Sequence, residues 1–329
     1  MKTMKWLLLR EFWEHKGSFF WAPLVIGIVM VVCMGGTLSY AIATHDFSGS
    51  MSVNGHSMNQ ADLINAIPSK EKALLVRMFA SGYMAVSAPL FLVLTAIAFF
   101  YCLGALYDER RDRSILFWKS LPASDQLTVI SKVAAALCVA PLISIAIATA
   151  TSMLMLLMVC AAAALKGINL VGPLLASPEF YLSPLRLVAL LPVYILWALP
   201  TVGWLLMVSA WARSKVFLWA VGTPILSIVI IKWLNYLVGG YSENQIDVDW
   251  FIHHVVIRGL TSLIPGIWLA AEEVPHALLV HAEHQGIDTS AVFVQSWLTL
   301  TRPNVWIGVA AGAAMIYAAM RLRRWREEG

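Results

Sequence analysis

Asp108–Lys132 reads DERRDRSILFWKSLPASDQLTVISK. It joins two apolar runs, Gly82–Leu106 and Val133–Leu165. Each run exceeds the roughly 20 residues that a helix needs to cross a bilayer. A short, charged connection between two such runs reads as a turn at a membrane surface. The fold that follows is all-α, with helices crossing a membrane and polar segments joining them.

Composition agrees. The 329 residues are 60% hydrophobic and 13% charged, with a mean hydropathy of +0.75. A soluble globule carries about 25% charged residues, and this chain cannot cover its apolar surface with so few. Charges are not interleaved with aromatics in a basic stripe, so nucleic acid is not an expected partner. Cys33, Cys102, Cys138 and Cys160 all fall inside apolar runs and read as small buried hydrophobes. Ala41–Ala43 could mimic a signal-peptidase site. The run before it is longer than the about 7–15 residues of a signal peptide, so an uncleaved first span is expected.

Six runs qualify as spans or nearly do: Phe19–Ala43, Gly82–Leu106, Val133–Leu165, Leu187–Ala210, Val216–Val238 and the shorter Val305–Met320. Pro141 marks a possible kink in the third, and Pro192 and Pro200 are expected to bend the fourth. Lys and Arg set the orientation. With the N-terminus inside, the inner segments hold Lys2, Lys5, Arg10, Lys16, Arg110, Arg111, Arg113, Lys119 and Lys132. They also hold Arg213, Lys215, Arg321, Arg323, Arg324 and Arg326. That is fifteen of the 23 basic residues, which predicts a multi-pass protein of the cytoplasmic (inner) membrane with both termini cytoplasmic.

The segments outside the spans carry further expectations. Residues 1–17 place Trp6, Leu9 and Trp13 at helical spacing on one side, with Arg10, Glu11 and Glu14 on the other. That pattern predicts an interfacial helix ahead of a single six-span domain over 18–329, in contact with membrane lipids. The long outer loop, 239–303, holds an apolar stretch broken by Arg258, Pro265 and Gly266, which reads as a broken helix that dips into the outer leaflet or packs on the bundle, and not as a crossing. His253, His254, His276, His281 and His284 crowd this loop, but their spacing matches no zinc signature, so no metal is expected. Glu272 and Glu273 resemble the double glutamate of CAAX-type membrane proteases, yet the Arg which that pattern needs is missing. The chain is therefore not read as an enzyme.

The 107–132 loop mixes signs: Asp108, Glu109, Arg110, Arg111, Asp112 and Arg113 precede the apolar patch Ile115–Trp118. Lys119 and the Leu121-Pro122 turn follow, with Ser124 or Asp125 placed to cap the next helix. A positive-inside anchor needs only Lys and Arg. Paired charges around an apolar patch suit a protein contact. The alternative is a non-transporting membrane scaffold that docks a soluble partner through this loop.

The stretch resembles the coupling loop of ABC-2 type transporter permeases. There an acidic-Arg cluster, a small residue, an apolar helix, a Leu-Pro-x-Ser turn and a Lys opening the third span follow in order. Glu109, Arg110, Ser114, Leu116, Leu121, Pro122, Ser124 and Lys132 stand at those places. Asp112 and Arg113 depart from the commoner glycine-containing turn. The resemblance implies a permease subunit, paired with a second permease in a homo- or heterodimer and with separate ABC ATP-binding subunits. The sequence holds no G-x-x-x-x-G-K-[ST] loop, so ATP and Mg would sit on the partner and this chain would bind no cofactor. Cargo would be a lipid, peptide or other hydrophobic or amphipathic compound, moved outward. Glu109, Arg110, Arg111, Arg113, Phe117, Trp118 and Lys119 would form the docking surface. Trp6, Leu9 and Trp13 would carry motion along the membrane plane.

Overall fold

The computed structural model describes residues 2–44, 51–53, 56–58, 69–112, 124–165, 169–238, 252–275, 278–279 and 288–325. Six helices in it are long and apolar enough to cross a membrane: α2 (Gly17–Thr44), α3 (Val76–Arg111), α4 (Asp125–Leu165), α6 (Pro178–Trp211), α7 (Val216–Leu237) and α11 (Pro303–Trp325). Around them lie α1 (Lys2–Glu14), α5 (Val171–Ala176), α8 (Arg258–Thr261), α9 (Ile267–Ala271) and α10 (Thr289–Leu298). One small departure from an all-helical chain is the antiparallel hairpin of β1 (Met51–Val53) and β2 (His56–Met58).

The molecule is a multi-pass membrane protein by helix length and hydropathy. Its lateral surface agrees with that assignment. Val25, Val29 and Val32 on α2, and Leu218, Leu226 and Trp233 on α7, are all more than half exposed. Such contiguous apolar faces are stable against hydrocarbon and not against water.

α6 forms the axis of the bundle. Val193, Trp197, Val202, Leu205 and Leu206 are fully buried along it, and the core joins them to Leu94, Ala98 and Cys102 of α3 and to Ile316 and Ala319 of α11. α6 and α11 pack backbone to backbone: a Cβ on Gly203 would lie 2.6 Å from the Gly312 carbonyl oxygen, and one on Gly312 2.8 Å from the Leu199 carbonyl. Lipid gives helices no hydrophobic reason to associate, so close approach at small residues supplies the dispersion that holds them.

Three helices run past the apolar stretches that betray them in the sequence. α3 continues to Arg111, α4 begins at Asp125 and α11 runs to Trp325. The connection read as 107–132 is thus helical at both ends. Ser124 caps α4, accepting the Leu127 N–H at 3.3 Å. The proline expectations resolve into specific devices. A π-helical turn at Ala135–Val139 precedes Pro141, and the fourth span divides at Leu190, with Pro192 in the first turn that follows. Of the two readings of the broken apolar segment, the structure has it packed on the bundle: Leu263 and Trp268 are buried in the core, and Gly266, at φ 88°, makes the turn between α8 and α9.

Candidate functional site

At one end of the bundle, four helices that are far apart in sequence meet through buried charge. α1 brings Glu11, α3 brings Glu109, α4 brings Lys132 and α11 brings Arg323. Their exposures are 1%, 7%, 2% and 4%. The Lys132 ammonium stands 3.0 Å from Glu11 Oε1 and 3.0 Å from Glu109 Oε1. Arg323 Nη1 donates to Glu109 Oε2 at 2.6 Å, and its Nε to Asp125 Oδ1 at 3.2 Å. The Tyr101 hydroxyl donates to Glu11 Oε2 at 2.7 Å. Arg10 approaches Glu109 at 3.8 Å and pairs with Glu14 at 3.2 Å.

Charge balance explains why these groups can be buried. Isolated ions would be strongly disfavoured there. Buried Glu11 and Glu109 face buried Lys132 and Arg323, two against two, with Asp125 and Arg10 at the margin, and Glu109 is shared among helices. Breaking such a network by removing one member costs several kcal/mol, because the abandoned charge stays buried. The arrangement can therefore hold α1 rigidly against the ends of α3, α4 and α11.

A second joint lies beside it. Arg110 Nη2 donates to the carbonyls of Ser209 at 2.6 Å and Ala212 at 2.9 Å. These carbonyls belong to the last turn of α6, where helical partners run out. The Ser209 hydroxyl in turn accepts the N–H groups of Leu106 and Tyr107, at 3.1 and 3.0 Å, where α3 turns after Gly104. α3 and α6 are pinned to one another by side chains filling each other's backbone gaps.

The residues singled out in the sequence fall into three groups. Of the residues expected on a docking surface, Glu109 is buried against Lys132 and Arg323, and the partly buried Arg110 caps α6. Arg111 is exposed, beside Asp108 and Asp112 at 3.6 and 3.1 Å. Arg113, Phe117, Trp118 and Lys119 lie outside the described residues. On α1, Trp6, Leu9 and Trp13 are 69%, 41% and 60% exposed, while Leu7 and Glu11 face the bundle and Leu8 and Phe12 pack against its core. α1 therefore turns aromatics outward and a carboxylate inward.

Sequence reasoning left out Glu11, Tyr101, Asp125, Ser209 and Arg323 as site residues. The available signal was an ionisable residue at the margin of an apolar run, where burial demands a partner. Among the histidines, His276, His281 and His284 lie outside the described residues. No cluster of metal-binding side chains occurs among those described. Glu272 is buried between Arg258 and Arg302, 3.5 Å from each. The sequence matches no protein-family model, no curated protein and no solved structure.

Proposed function

We propose that this chain is the membrane-spanning permease subunit of an ATP-driven transporter of ABC-2 type. It exports a hydrophobic or amphipathic compound across the cytoplasmic membrane, with both of its termini cytoplasmic. A separate ABC subunit hydrolyses the ATP and docks on the side of the loop between α3 and α4. A second permease, identical or related, completes the pathway.

The observation that carries this reading is the buried network joining α1 to α3, α4 and α11 directly beside that loop. A passive anchor has no use for balanced buried charge between four helices. A machine driven from the membrane surface does, because force applied to α1 or to the loop must reach the spans without loss. The exposed Trp6 and Trp13 suit a helix that slides at headgroup depth. The α3–α6 joint at Arg110 and Ser209 extends the same stiff unit to the central helix.

The test is co-purification in mild detergent of the intact chain and of the Phe117→Ser/Trp118→Ser variant. The intact chain is expected to bring down a protein that hydrolyses ATP, and the variant to lose it while keeping its own elution volume. Recovery of a partner without ATP hydrolysis would replace the permease with a scaffold.

A further inference from the structure

The structure holds a second built feature, remote from the buried network. A cavity of about 460 Å³ lies between α6, α7, α8 and α11, open on one side. Pro200 and Trp204, Pro224, and Ile307 and Met315 make most of its wall apolar. Arg258 is the charged residue in its lining. The Arg258 side chain is 12% exposed; its guanidinium lies 4.1 Å over the Trp197 ring and 3.5 Å from Glu272. Glu272 is shared with Arg302, also at 3.5 Å. Two guanidiniums thus share one carboxylate among the described residues, so Glu272 does not neutralise both, and Arg258 is the one that lines the apolar cavity.

Dimensions narrow the ligand. The lining of α11 runs from Asn304 to Met315, about 16 Å at 1.5 Å per residue. That is close to one leaflet of a hydrocarbon core about 30 Å thick. Positive charge at one level and hydrocarbon for a leaflet's depth is the complement of a molecule with an anionic head and one long tail.

We propose that this cavity binds a single-chain anionic amphiphile, its head on Arg258 and its tail along α11 towards Met315. The proposal rests on the permease reading only in treating the ligand as cargo; binding itself needs neither ATP nor a partner subunit. Desolvation gives the preference its strength, since a charge pair in apolar surroundings interacts far more strongly than in water. A neutral head of the same chain length forfeits that interaction.

The full chain in phosphatidylcholine nanodiscs is titrated with labelled oleate, oleyl phosphate and monoolein, against empty discs. The expected result is saturable binding of an anionic amphiphile, at least tenfold tighter than monoolein; the tighter of oleate and oleyl phosphate names the head. Arg258→Gln is expected to weaken it at least tenfold. Ala311→Phe fills the cavity without touching a charge and is expected to abolish it. The comparison of oleate with monoolein keeps the charge test available if Arg258→Gln does not fold. Equal uptake of oleate and monoolein, or undiminished binding in Ala311→Phe, would overturn the proposal. So would dissociation of a dimer by Ala311→Phe with no anion binding, which would assign the cavity to a second copy.

Discussion

Lys132 shows how much one residue can carry. It enters a buried site because Glu11 and Glu109 stand on either side of its ammonium, each at 3.0 Å. Lys132→Met leaves two carboxylates facing each other without a shared cation, and is expected to destabilise the fold by about 3–5 kcal/mol. Glu11→Gln alone is expected to cost less, because Glu109 still holds Lys132. The double variant should lie well short of the sum of the two single effects, since both act on one network. Unfolding midpoints in a single detergent check this, and additive effects would mean that the network is not cooperative. The charges themselves were legible in the sequence as residues near the ends of apolar runs. Their pairing was not: Glu11 and Lys132 are 121 residues apart, and Glu109 and Arg323 are 214 apart. Glu109 and Arg110 looked like surface because a charged run usually is one. Only tertiary structure reveals that one balances buried cations and the other caps a neighbouring helix.

Among the elements, the axis pair of α6 and α11 depends on two glycines. Gly312→Ala places a methyl 2.8 Å from the Leu199 carbonyl, and is expected to cost about 1–3 kcal/mol through forced separation of the helices. Gly312→Leu is expected to give an aggregated elution profile. Gly222→Ala on α7 is the control: its nearest neighbour is a leucine carbon at 3.9 Å, so its unfolding free energy should stay within about 0.5 kcal/mol of wild type. Similar losses at both positions would mean that the loss at Gly312 does not come from its close packing, since alanine is the better helix former. The six spans were legible because 20 apolar residues in a row leave few alternatives. Their extents were not. Residues 107–111 read as loop because they are charged, yet they are helical, with Glu109 and Arg110 meeting partners on other helices; the cap at Ser124 marked the start of α4 in the sequence. α1 was legible as a helix with an aromatic stripe. The stripe turned out to face away from the bundle, and the side read as polar holds Glu11, the anchor.

For the whole molecule, the reading of direction rests on the distribution of Lys and Arg. In a chain whose four cysteines are replaced by serine, Asn169→Cys is expected to react with a membrane-impermeant maleimide on intact cells. Ser214→Cys, between Arg213 and Lys215, is expected to react only after permeabilisation; the reverse pattern would invert the molecule. That orientation puts the network, α1 and the α3–α4 connection on the side where ATP is made available. The central claim is that this end of the molecule receives work from an ATPase. It is tested most directly by the hydrolysis rate of the co-purified ATP-binding subunit in vesicles, with the intact chain, with Phe117→Ser/Trp118→Ser, and alone. The account predicts that the intact chain raises the rate severalfold and that the variant falls back to the level of the subunit alone. A rate indifferent to the presence of the chain would contradict it.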